Sequence, residues 1–293
     1  MIWNLEFGIC NYMTTVSAYE SNENSTISTY FQIDDGWKSA TGKGVSIAVV
    51  DSGIETDHVD LQGKVRESVE AHADHQRIIF KPSAVGDSAG HGTACAGIIS
   101  RIAPGAEFHS IKVLGAGNTG DGIAFLAGLE YAIKNKHQII NLSLGTTKPQ
   151  FFAPLHDLLD RAYQAGCIVV AAANNLPQPS FPSVFSSSLI SVSKHEDSDP
   201  FNFGFRYGEV IELTAPGVNI RTAWLNNSHK SLTGNSFACP HIVGIIALLL
   251  EKHPQLTPFQ VKSALYAIAQ ENQDKKRIAE AAAQKNSRAE TER

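Results

Sequence analysis

The sequence predicts an α/β protein: a doubly wound, mostly parallel sheet flanked by helices on both faces. Three observations carry that expectation. Short, nearly continuous apolar runs recur along the chain, as strands buried on both faces require. Helical patterns separate them, and such alternation is the signature of a parallel sheet. The composition, 43% apolar and 18% charged over 293 residues, is that of a globular chain long enough for one large domain.

In chain order, the first run is Val45-Ser46-Ile47-Ala48-Val49-Val50, entered from Gly44 and followed by Asp51-Ser52-Gly53. Further strands are expected at 108–113, 138–143, 167–172 and 189–193, with helices at 91–102, 122–136 and 154–165. Beyond a turn-rich stretch holding Pro177, Pro179 and Pro182, residues 210–213 read as a weaker strand and 236–252 as a long apolar helix. Thr257-Pro258 starts another helix, with threonine as N-cap and proline in the first turn. Residues 1–25 are polar and aperiodic and read as an N-terminal arm; 26–270 form the folded domain; 271–293 are charged and Ala-rich, a helical or disordered tail.

Charge and hydropathy exclude several functions. With 24 Lys+Arg against 29 Asp+Glu the net charge is -5, and no basic cluster offers a phosphate-binding surface, so no nucleic-acid partner is expected. The longest apolar stretch, 242–250, is too short to cross a bilayer, so no membrane partner is expected either. Residues 1–13 lack both the basic start and the apolar run of a secretory signal, which points to the cytoplasm. Cys10, Cys95, Cys167 and Cys239 are far apart and read as buried free thiols. No cofactor is expected and no metal site: His72-Ala73-Asp74-His75 lies in an irregular polar stretch without a third ligand and reads as a solvated loop.

One glycine motif invites a different reading. Gly115-Ala116-Gly117-Asn118-Thr119-Gly120 matches G-x-G-x-x-G between a strand and a helix, as a dinucleotide site requires. The acid that would hold the ribose at the end of the next strand is missing, because that strand ends Asn141-Leu142-Ser143-Leu144-Gly145. These glycines therefore read as a flexible loop at the strand ends.

Three polar residues at the ends of apolar elements carry more. Asp51 closes the first strand, His91 stands at a helix start in Gly90-His91-Gly92-Thr93, and Ser236 opens the longest apolar helix. Each alone has a structural reading, Asp51 or Ser236 as an N-cap and His91 as a loop histidine. Together they are the parts of nucleophilic acyl transfer: a hydroxyl, a base to take its proton and an acid to orient the base.

The segments AVVDSGIETDHVDL, GHGTACAGI, NLSLG, AAANN, LTAPGV and TGNSFACPHIVG resemble, in order, the signature blocks of the subtilisin-like serine proteases, the subtilases, over roughly residues 30–270. The resemblance implies a serine endopeptidase acting on a peptide or protein substrate, with Asp51 as orienting acid, His91 as general base and acid, and Ser236 as nucleophile. It implies that Asn175 serves the oxyanion hole, that Ser143, Leu144 and Gly145 form one wall of the cleft, and that Gly117 and Gly120 belong to the other. Asn235 stands where the family usually has a Thr that assists the oxyanion hole, and Asn174 where it has a Gly. If those changes degrade the site, the alternative is a catalytically impaired, peptide-binding protein of the same fold. The short segment between Asn175 and Phe181 leaves primary specificity illegible, and oligomeric state is equally so. The direct run from Ile99 to Gly105 leaves no room for the calcium loop of secreted relatives, and Cys95 sits where one secreted branch keeps a thiol beneath the catalytic His. By resemblance to intracellular members, residues 1–11 are expected either to cover the cleft or to form a start without a regulatory role.

Overall fold

The structure, a computed structural model, describes residues 35–74 and 77–291. The arm expected at 1–25, with Cys10, and His75 lie outside the described residues. Nine strands form one sheet in the order β3-β2-β4-β1-β5-β6-β7-β9-β8, where β1 is Ser46–Asp51, β2 Val65–Asp74, β3 Arg77–Pro82, β4 Glu107–Lys112, β5 Ile139–Leu142, β6 Ile168–Ala172, β7 Ile190–His195, β8 Gly204–Phe205 and β9 Leu213–Pro216. All neighbours pair in parallel from β2 across to β9. The edge strands β3 and β8 pair antiparallel. A separate antiparallel hairpin joins β10 (Ile220–Trp224) to β11 (Ser228–Leu232).

Helices cover both faces. Alternation along β1 sends Ile47 and Val49 to one core and Ala48 and Val50 to the other, as the period of two requires. The first core is closed by α1 (His91–Ile102), α4 (Asn235–Lys252) and the start of α5 (Pro258–Thr291). The second is closed by α2 (Gly122–Lys134) and α3 (Phe152–Gln164). Every residue of α4 from Asn235 to Leu250 is buried, which explains a sequence that is apolar on all sides. Thr257 caps α5 as expected: its Oγ1 accepts the Gln260 N–H, and Gln260 reaches back to the Thr257 N–H. Among the described residues, no helix is long and apolar enough to cross a membrane.

Several expectations are corrected. Residues 72–74 are not a solvated loop but the end of β2, whose pairing with β3 runs from Val69–Pro82 to Asp74–Arg77. The weak strand expected at 210–213 lies at 213–216. The described part of the tail, 271–291, continues α5 as helix, in keeping with its Ala, Glu, Lys and Gln content.

The chain steps outward from β1 in both directions, to β4 and β2 on one side and to β5, β6 and β7 on the other. Where strand order reverses, the loops at the carboxyl ends part and leave a crevice, the usual place for a ligand in such sheets. Asp51 is the last residue of β1, at that crevice.

Candidate active site

Asp51 is fully buried at the end of β1. Its carbonyl accepts the N–H groups of Val113 and Leu114, which places the chain leaving β4 beside it. Its carboxylate accepts the Ser52 N–H at 2.7 Å and meets His91 Nδ1 at 2.9 and 3.0 Å from its two oxygens. Because Asp51 is an acceptor, His91 carries its proton on Nδ1 and leaves Nε2 with a free lone pair.

His91 is held at the first position of α1 by a residue that the sequence reading missed. Gly90 offers no side-chain cap. Asp87 replaces it: its Oδ1 accepts the N–H groups of Ala89 and Gly90 and the Ser52 hydroxyl, and its Oδ2 accepts the N–H and hydroxyl of Thr93. An Asp shortly before a helix start is a recognised cap signal, and here it stood in Asp87-Ser88-Ala89-Gly90-His91. The approach of β1 to this cap needs glycine. Gly53 has φ 109°, and a Cβ on it would lie 1.9 Å from the Gly86 carbonyl oxygen.

Ser236 lies in the first turn of α4, where backbone N–H groups have no intrahelical partner. Pro240, four residues on, has no N–H to give the Ser236 carbonyl. The orphaned oxygen is satisfied from outside the helix, by Ser143 Oγ at 2.9 Å and by the Cys95 thiol at 3.5 Å. Cys95 Sγ also lies 4.0 Å from His91 Nδ1, and Phe237 packs on the His91 ring at 5.4 Å, so α1 and α4 bring histidine and serine into one neighbourhood. No hydrogen bond joins His91 to Ser236 among the described residues; such bonds commonly tighten only with substrate.

Ser236 opens onto a cleft of about 410 Å³ lined by Ser143, Leu144, Gly145, Asn174, Asn175 and Ser180, among others. Asn175 Oδ1 accepts the Asn235 N–H at 2.8 Å, which fixes its amide beside Gly234, next to Ser236. The expected wall of Ser143, Leu144 and Gly145 is thus brought together with Asn175 and Ser236. Gly117 and Gly120 do not line this cleft; they lie in the loop after β4, where a 3-10 turn at Ala116–Asn118 puts Gly117 at φ 73°.

A sequence profile described as the subtilase family matches residues 42–285. The chain belongs to the subtilase family. It is 33% identical to the minor extracellular protease Epr of Bacillus subtilis (strain 168) over 80% of its own length and 36% of that protein's. It is 33% identical to M-protease of Shouchella clausii (strain KSM-K16), covering 60% of it, and to subtilisin Savinase of Lederbergia lenta, covering 84%. The chain thus spans less than two thirds of Epr and of M-protease. A solved cold-adapted subtilisin-like serine proteinase superposes with TM-score 0.64 at 26% identity, covering 78% of this chain and 83% of that one.

In this subtilase the residues that depart from the family pattern have structural work. The Asn235 side chain turns away from the cleft: Oδ1 accepts the Lys194 N–H and Nδ2 donates to the Asn174 carbonyl, both within 3 Å. Asn174 Oδ1 accepts the Leu176 N–H, closing a tight turn at the cleft rim. His241 is buried and bonds the Phe237 carbonyl one turn back, packing rather than ligating.

Electrostatically, burial works to lower the pKa of His91, but the Asp51 carboxylate and, after it, the Cys95 sulfur together outweigh it and hold the imidazole well above its ordinary value. Burial in turn pushes the pKa of the Cys95 thiol up. The site therefore holds an imidazole with a raised affinity for a proton in the same neighbourhood as Ser236.

Proposed function

We propose that the chain is a serine endopeptidase that cleaves extended peptide segments through an acyl-enzyme. Ser236 Oγ attacks the scissile carbonyl, and His91 Nε2 takes its proton and returns it to the leaving amine. Asp51 keeps the imidazole in the right tautomer and stabilises the imidazolium. The Asn175 amide and the Ser236 N–H face the developing oxyanion. The observation that carries this reading is the His91–Asp51 pair: a carboxylate buried at the end of β1 has no structural partner that needs it more than the imidazole does. The substrate lies as an added strand along Ser143, Leu144 and Gly145, with the Gly117–Gly120 loop beyond the opposite side. The impaired alternative is not favoured, because Asn235 is engaged with Lys194 and Asn174 and leaves Asn175 oriented.

The deciding experiment is Ser236→Ala with a fluorophosphonate probe on the native protein. The probe is expected to attach to Ser236, and the alanine variant to lose on the order of 10⁶ in kcat, the loss that subtilisin suffers without its nucleophile. Unlabelled Ser236, or turnover unchanged in a folded variant, rejects the reading. A cytoplasmic site of action is proposed alongside it, supported by Cys95, Cys167 and Cys239 all being free thiols. Cell fractionation tests it.

A further inference from the structure

We propose that Glu67, His109 and His137 form a transition-metal site, of the kind that suits Zn²⁺, on the α2 side of the sheet and away from the catalytic cleft. The three residues come from β2, from β4 and from the turn before β5, and one ligand atom from each lies within 4.8 Å of the others. Glu67 and His109 are register partners on adjacent parallel strands. His109 pairs with Ala48 of β1, three residues before Asp51 and toward the amino ends of the strands. The site is therefore distinct from the centre at the carboxyl ends.

The arrangement is unexplained by packing alone. His137 is 4% exposed, and its Nε2 is buried without a hydrogen-bond partner among the described residues. His109 Nδ1 is in the same position, with Glu67 Oε2 at 3.5 Å. The two rings lie 4.2 Å apart, centroid to centroid, and one ligand nitrogen from each shares one small space with a Glu67 carboxylate oxygen. Buried polar atoms in native proteins are ordinarily partnered, and a metal ion is one such partner. The carboxylate has its outer support as well: Tyr131 on α2 donates to Glu67 Oε1 at 2.7 Å and leaves Oε2 for the centre. Two imidazoles and a carboxylate suit zinc, with a fourth position left to water.

The other three-residue groups lack this feature. In His58–Asp60–His229, His58 Nε2 bonds the Ser228 carbonyl and Nδ1 accepts the Asp60 N–H, so both nitrogens are occupied. In Asp51–His91–Cys95 the Nδ1 atom is committed to Asp51 within the catalytic centre.

The test uses the full chain carrying Ser236→Ala, so that autolysis does not interfere. Zn²⁺ is titrated against a chromophoric chelator, and Co²⁺ is substituted to read the ligand set. One tight metal per chain is expected, with a cobalt spectrum lacking a sulfur-to-cobalt charge-transfer band. His109→Gln and His137→Gln should each weaken binding by at least about a hundredfold, and Glu67→Gln by about tenfold or more. Absent saturable binding at micromolar Zn²⁺, binding that survives these substitutions, or a sulfur band placing the metal at Cys95 overturns the proposal. Should a histidine variant fail to fold, Glu67→Gln, at the partly exposed end of the set, decides it: unchanged affinity there rejects the site.

Discussion

Replacing Ser143 by alanine removes the shorter of the two bonds that satisfy the Ser236 carbonyl, which Pro240 leaves without an amide donor. The cost is expected at about 1–3 kcal/mol, read as a lower denaturant midpoint, with kcat falling because Ser236 is less firmly placed. Asn175→Ala also orphans a buried donor, the Asn235 N–H, and should cost about 1–3 kcal/mol of stability, but kcat should drop further, by about 10²–10³, the range for an oxyanion-hole donor in subtilisin. The His91–Asp51 pair sets the pH dependence. With the folded pKa raised, imidazolium persists above pH 6.5 and has no lone pair to accept the serine proton. The acid limb of kcat/KM should therefore fall above 6.5, and activity should plateau on the alkaline side. Asp51→Asn should lower kcat by about 10⁴ and shift that limb downward. A limb below 6.5 in the native protein would mean that Asp51 does not govern the titration.

At the scale of elements, the crossing of the chain after β1 over the segment before α1 is the least tolerant point. Gly53 pairs with Asp87 in an isolated bridge, and a Cβ on Gly53 would overlap the Gly86 oxygen. Gly53→Ala is expected to destabilise by roughly 3 kcal/mol or more, or to prevent folding, because both strain and overlap oppose it. Thermal denaturation of the soluble fraction checks this. Among the described residues, the buried parallel strands and the five α-helices were legible because burial on two faces writes an unbroken apolar run, and helices repeat every three to four residues. β2 was not: Arg66, Glu67, Glu70 and His72 interrupt it, since its partner β3 is an edge strand and much of its surface is wet. The β10–β11 hairpin was missed for the same reason, Ser228-His229-Lys230-Ser231 being exposed. At the site, Asp51, His91 and Ser236 stood out as polar residues at the ends of apolar elements. Asp87 was legible as a capping acid four residues before the helix start but was overlooked, and Glu67, His109 and His137 were hidden because no spacing links residues from three separate elements.

For the whole molecule, acid stability follows from two buried neutral histidines. Burial pushes His137 and His241 each down to about 4, from an unfolded value of 6.5. As pH falls the unfolded chain takes up protons first, so the stability they contribute is complete above 6.5, declines toward 4 and is level below it. The loss is on the order of 3 kcal/mol for each, and His91, already protonated when folded, adds no slope in that window. Chemical denaturation at stepped pH with a chelator present should show the decline; His241→Gln should flatten part of it. The burial of α4 has one more consequence. Its amides beyond the first turn have no route to solvent short of opening the entire core, whereas the Asn175–Pro179 rim and the Gly117 loop lie at the surface. Deuterium should therefore enter the rim within the opening time of a loop, and enter the helix behind Ser236 only at the pace of global unfolding. An inhibitor bound in the cleft would slow uptake at the rim far more than local fluctuation in α4, which the core already suppresses.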